Sequence, residues 1–351
     1  MPSPLAEIIR TAIATRGPLP FRDFMDLALY HPAHGYYTSG RARIGRKGDF
    51  FTNVSVGPLF GRLLALEFAR VWEQLGRPEP FTLVEQGAHG GELHADVLNG
   101  LRELAPACFA ATRSILVEPS PTLGDLQRQH LAEFPVEWCA SLEALPAFCG
   151  IHFSNELPDA FPVHLVQWTG TEWLERHVTT QEGDAFTFAD APLSSDTLTA
   201  ACAQIPQPLP AGYITEVNLA APAWIRAIAR KLTRGRICLV DYGYPREEYY
   251  LPDRVEGTLS AYASHRREPN PLARPGEIDL TAHVDFTSLI EAGTAGGLRL
   301  AEFTDQHHFA VRLGMDYFAD GAHPTDRRAF MTLMHPQFMG LAFKVLQLER
   351  P

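Results

Sequence analysis

The sequence has few cysteines and none close together. Its five are Cys108, Cys139, Cys149, Cys202 and Cys238, with no C-x-x-C pair, which excludes a disulfide framework and a zinc ribbon. Reduced thiols of this kind read as a cytoplasmic protein. Positive charge is the minority sign: 30 Lys and Arg stand against 41 Asp and Glu, for a net charge of −11. A nucleic-acid partner, whose phosphates need a basic face, is therefore not expected, and the one basic run, Arg41 to Lys47, reads as a solvated loop. No run of 18 apolar residues exists, so no membrane span is expected. The first residues lack a basic region followed by a long apolar stretch; Leu5, Ile8, Ile9, Ala12 and Ile13 have helical spacing and predict an amphipathic helix, not a signal peptide. The histidines form no H-x-x-x-H pair beside a carboxylate, so no metal is expected, and they read as surface or loop residues. G-x-S-x-G and Walker-type loops are absent, as are internal repeats.

What is present concentrates in Phe81 to Leu98, FTLVEQGAHGGELHADVL. An apolar run reaches an acid, Glu85; Gly87, Gly90 and Gly91 follow, and a helix-like run starts at Glu92. Glycines allow close backbone approach to a ligand, and a helix N-terminus offers free N–H donors. Further on, Ser114 to Val117 leads into a second acid, Glu118, at the spacing suited to the two hydroxyls of a ribose. A dinucleotide fingerprint would place a glycine at His89, and Glu85 and Glu92 would repel a pyrophosphate. The same carboxylates suit S-adenosyl-L-methionine, with its ammonium, its sulfonium and no phosphate. The turn alone is equally compatible with an unliganded αβ connection; the second acid favours a nucleoside site.

Alternating strands and helices over 81–165 predict an α/β fold with a mostly parallel sheet. The organisation expected is an N-terminal helical extension (1–80), a core (81–165 and 216–351), a β-rich insert (166–215) and a loop-rich insert or lid (243–285). A Thr-Gly turn inside VHLVQWTGTEWLERHVTT marks a hairpin, and the stretch from there to Tyr213 reads as loop. Leu298 to Phe303 and His307 to Leu313 read as the final antiparallel strands. Predicted strand ends carry Glu85, Glu118, Ser154-Asn155-Glu156 and Asp241, the rim where ligands of open parallel sheets sit. Asn155 and Asp159 are alternatively helix caps.

Several blocks together resemble the MidA family of S-adenosylmethionine-dependent methyltransferases: FRDFMDLALYHPAHGYY, GDFFTNVSVGPLFGRLLA, SNELPDAFPVH, DYGYPREEYYLPDRVEGTLSAYASH, PGEIDLTAHVDF and DQHHFAVRLG. The resemblance implies a class I methyltransferase (Rossmann-like) core with an N-terminal helical extension and inserted substrate regions. It also implies methyl transfer to a protein arginine, such as one in the complex I 49-kDa subunit or its homologue. Carried over by position, Glu85, Gly87 and Gly91 would form the cofactor turn, Glu118 would hold the ribose, Asp49 and Thr52 would close over the cofactor, and Asn155 would line the transfer centre. Glu156 is the candidate catalytic carboxylate for gripping a guanidinium, with Asp159 a second. His89 stands where the family's E-x-G-x-G-x-G pattern has its second glycine. A small-molecule methyltransferase and a non-catalytic assembly protein remain alternatives. Exposed tyrosines at 30–37 and 242–250 are a candidate partner surface, a homodimer included.

Overall fold

The computed structural model describes residues 3–40, 56–181, 185–263, 266–319, 323–335 and 340–351. The chain forms two compact units. One gathers Met1–Phe50, Pro158–Ala223 and Tyr244–Ser288; the other gathers Phe51–Leu157, Trp224–Gly243 and Leu289–Pro351.

The second unit is built on a sheet whose strands are, in chain order, β1 (Phe81–Gln86), β2 (Thr112–Val117), β3 (Val136–Cys139), β4 (Phe148–Asn155), β5 (Leu232–Tyr244), β6 (Arg299–Asp305) and β7 (Phe343–Arg350). They lie side by side as β6-β7-β5-β4-β1-β2-β3. Pairings from β5 across to β3 are parallel, while β7 runs antiparallel to both its neighbours. This is the class I methyltransferase arrangement. The chain winds outward from β1 through β2 to β3, then returns to place β4 on the other side of β1. The β1/β4 boundary is thus a topological switch point, where the crossing connections leave a crevice. Strand β1 is buried along nearly its whole length, as a central parallel strand covered on both faces must be. Helix Leu59–Gln74 lays Phe60, Leu63, Leu64, Phe68 and Trp72 into the same apolar cluster as Phe81, Leu83, Val97, Phe153 and Phe343.

The first unit carries helices Pro4–Arg16 and Phe21–Tyr30 beside an antiparallel sheet. In the first helix Ser3 accepts a hydrogen bond from the Ala6 N–H, Pro4 occupies the first turn, and Gly17 ends it at φ +88°. The expected hairpin is strands His164–Trp168 and Trp173–Thr180, closed at Thr169, whose N–H donates to the Glu172 carbonyl. Leu19–Pro20 pairs with the outer part of Trp173–Thr180, and Leu5, Ile9, Phe21, Phe24, Val178 and Leu280 share one core. That pairing groups the first fifty residues with 158–223, so the units cut across the 1–80 boundary drawn on the sequence.

Three local readings differ from the structure. The stretch before Tyr213 holds a strand, Phe186–Pro192, paired with Trp173–Thr180, and a helix, Asp196–Cys202, capped by Ser195. The stretch 243–282 includes a short helix, Arg246–Tyr249, and strands Ser260–Ala263, Arg266–Arg267 and Asp279–Thr281. His307 to Leu313 lies in a helix, Gln306–Tyr317, because the Asp305 carboxylate accepts from the His308 N–H and the buried positions (306, 309, 310, 313, 314, 317) have helical spacing. The last strand is β7 instead.

Candidate active site

After β1 the backbone turns sharply: Gly87 has φ +80°, His89 +45° and Gly91 +88°. A Cβ on Gly87 would lie 3.0 Å from Leu157 Cδ1, just beyond β4, so the turn packs against the end of the neighbouring strand. His89 adopts the left-handed conformation usually left to glycine, which costs about 1 kcal/mol. The helix Glu92–Leu104 then starts at Gly91 with no side-chain cap, leaving its first N–H groups facing the turn.

Glu85 is buried, and its Oε2 lies 3.0 Å from His94 Nδ1; the other ring nitrogen of His94 contacts Ser114 Oγ. Desolvation raises the Glu85 carboxyl above its ordinary value, against the opposing hydrogen bond and charge of His94. His94 is therefore neither a surface nor a loop histidine. It lies fully buried in the helix, its ring stacked on Phe153.

Glu118 stands immediately past β2, partly buried. Its Oε1 accepts from the Ser120 N–H at 2.8 Å and its Oε2 from Gln127 Nε2 at 2.9 Å. A carboxylate has about four lone-pair positions, so acceptor capacity remains for hydroxyl donors. At the switch point, Asn155 ends β4 and Glu156 follows at φ +52°, its N–H bonded to the Val240 carbonyl at 2.9 Å. Asn155 Nδ2 donates to Glu156 Oε1 at 2.9 Å. The structure thus brings Glu85, Gly87, Gly91, Glu118, Asn155 and Glu156 together along the carboxyl ends of β1, β2 and β4. Asp241 lies buried within β5, its Oδ1 accepting from the Tyr242 N–H. Asp159 belongs to the other unit, where Thr281 Oγ1 donates to its Oδ2 at 3.0 Å and burial pushes its carboxyl up to about 6. Asp49 and Thr52 lie outside the described residues.

A model of the family described as "putative S-adenosyl-L-methionine-dependent methyltransferase" matches residues 63–304, well over half of the chain. The chain belongs to this family. The methyltransferase is 33% identical to a Burkholderia thailandensis protein crystallised with S-adenosyl-homocysteine; the match covers 100% of this chain and 95% of the other, with a TM-score of 0.89. It is 28% identical to the Drosophila melanogaster protein named as a mitochondrial protein arginine methyltransferase NDUFAF7 homolog, over 97% of this chain and 84% of that one. The human protein arginine methyltransferase NDUFAF7, also named as mitochondrial, is 27% identical over 99% of this chain and 83% of its own length.

The mitochondrial names of these relatives overturn the cytoplasmic assignment made from the cysteines. Unpaired thiols report a reducing environment, and that does not single out one compartment. No described helix of the methyltransferase is long and apolar enough to cross a membrane.

The residues present fit S-adenosyl-L-methionine. An uncapped helix N-terminus meets a tight left-handed turn that can receive a carboxylate, and acidic groups at the strand ends suit an ammonium and ribose hydroxyls. Among the described residues no group of three or more His, Cys, Asp or Glu could hold a metal ion. Sequence reasoning missed the roles of His94 and Gln127. Neither has a local signal, since both helices carry many other polar residues, and their partners Ser114 and His89 are distant in the chain.

Proposed function

We propose that the methyltransferase transfers a methyl group from S-adenosyl-L-methionine to an arginine of a protein, a homologue of the complex I 49-kDa subunit being the first acceptor to test. The observation that carries this reading is Glu156. A glutamate held at positive φ, directly past the switch-point strand, is a strained residue of the kind that clusters at functional sites. Its relatives' names, protein arginine methyltransferase, supply the acceptor class.

In this reading Gly87, Gly91 and the first N–H groups of the helix receive the amino-acid end of the cofactor. Glu85, fixed by His94, supplies negative potential beneath the turn, and Glu118 accepts from the ribose hydroxyls. Bound S-adenosyl-L-methionine supplies a methyl group already activated by its sulfonium. The protein's task is then alignment, with roughly 3–3.5 Å between reacting atoms. A guanidinium is a poor nucleophile because it stays protonated. Two N–H groups gripped by the Glu156 carboxylate would fix its plane and leave the third nitrogen directed at the methyl carbon. Asn155, bonded to Glu156, sets the orientation of that carboxylate.

The test is incorporation of labelled methyl into the purified acceptor, with the modified residue read by mass spectrometry. Glu156→Gln should bind S-adenosyl-homocysteine like wild type and lose methyl transfer by at least about a hundred-fold, the scale of one transition-state contact. Near-normal transfer by that variant would remove Glu156 from the mechanism. Labelling confined to residues other than arginine would remove the acceptor class.

A further inference from the structure

Gln127, in helix Pro121–His130, is fully buried, and its side-chain amide is hydrogen-bonded at both ends. Nε2 donates to the His89 backbone carbonyl at 2.9 Å and to Glu118 Oε2 at 2.9 Å. Oε1 accepts from Trp138 Nε1 at 3.0 Å. A primary amide has two N–H donors, and both are committed here: one to the left-handed corner of the turn after β1, the other to the acid after β2. The indole N–H can only donate, so Trp138 determines which end of the amide is oxygen and keeps the two donors pointed at those acceptors. The second oxygen of Glu118 is fixed separately by the Ser120 N–H at 2.8 Å. His89 contributes through its carbonyl, held in a left-handed conformation that non-glycine residues seldom adopt.

We propose that Gln127 is a positioning residue that locks the glycine turn and the Glu118 carboxylate into one geometry, so that discrimination of the cofactor's ribose depends on it. The proposal rests on reading Glu118 as the ribose acceptor. It makes the turn and the ribose acid a single recognition element, joined by one buried amide.

Calorimetric titration of the full chain with S-adenosyl-homocysteine and with its 2′-deoxyribose analogue tests this. Wild type should prefer the ribose form, and Glu118→Ala should abolish the preference. Gln127→Leu should weaken both ligands by freeing the turn they share, and should weaken S-adenosyl-homocysteine about ten-fold further, the loss expected when the buried Glu118 acceptor is stripped of its donor, so that the preference collapses. Trp138→Phe, which releases the amide to rotate, should reduce the preference in the same direction and carries the test if Gln127→Leu does not fold. Equal loss for both ligands would show a merely structural role and overturn the proposal, as would an unchanged preference. Wild type that binds S-adenosyl-homocysteine without preferring the ribose form would sink the Glu118 assignment beneath it. Absence of any binding by wild type would sink the cofactor reading itself.

Discussion

Asp96 offers a quantitative test of how this protein handles a partly buried charge on the helix that follows the glycine turn. It lies on helix Glu92–Leu104, partly buried, at a cavity of about 310 Å³ lined also by Pro58, Arg62, Asn99, Arg102 and Glu103. Burial raises its carboxyl from 3.8 to about 6, against the opposing pull of His130 and Arg62 and with the help of Glu92 and Glu85. At about 1.4 kcal/mol per pKa unit the difference corresponds to about 3 kcal/mol, which partial exposure to solvent screens down to about 1 kcal/mol. Because the folded value lies above the unfolded one, the native state holds the proton more tightly. The stabilisation it brings is full below about pH 4 and is lost as pH rises through about 6. Asp96→Asn keeps the shape and removes the ionisation. In urea titrations at a series of pH values, the variant and wild type should match near pH 4; the variant should gain through the window to pH 6 and then stay ahead by about 1 kcal/mol, or roughly 2 °C in melting temperature. A difference that does not change with pH, or a variant weaker than wild type at about pH 8, would refute desolvation as the cause.

Three further outcomes are expected. His94→Leu should destabilise by about 3 kcal/mol at neutral pH by leaving Glu85 buried without its partner, and by less in acid, where Glu85 takes up a proton; paired denaturant curves at two pH values read this out. His89→Gly should leave S-adenosyl-homocysteine affinity intact and gain up to about 1 kcal/mol, whereas His89→Val should lose about as much or more, because a β-branched residue is worse still at φ +45°; calorimetry and thermal melts separate the two. Gly61→Ala would bring a methyl to 2.8 Å from the Asp96 carbonyl carbon and 2.9 Å from the Val97 nitrogen, and should cost about 2 kcal/mol by forcing apart helices Leu59–Gln74 and Glu92–Leu104; an unchanged melting temperature would contradict that close packing.

The strand–turn–helix at 81–104 was legible because its information is local. A buried apolar run, glycines at the left-handed corners and a helical run follow one another directly. Glu118 and Asn155-Glu156 were legible for the same reason, as polar residues ending apolar strands. The failures are equally physical. Phe309, Val311 and Leu313 alternate as a strand would, and only the Asp305 cap and the burial of Gln306, Ala310 and Gly314 reveal a helix. Strand β7 depends on being inserted between β5 and β6, a pairing fixed by partners far away in the chain. The Glu85–His94–Ser114 chain joins three elements, and no spacing in the sequence announces it.

Each compact unit is stitched from three separate stretches of polypeptide, and the chain passes from one to the other repeatedly. No single cut in the gene therefore yields either half intact: a fragment ending near residue 157 would lack β5, β6 and β7, and one beginning there would lack β1 to β4. Neither product could close its sheet, and each would expose raw strand edges prone to clumping. Anyone wishing to study the unit built on β1 to β7 alone will have to re-order its segments with new connecting loops instead of trimming the ends.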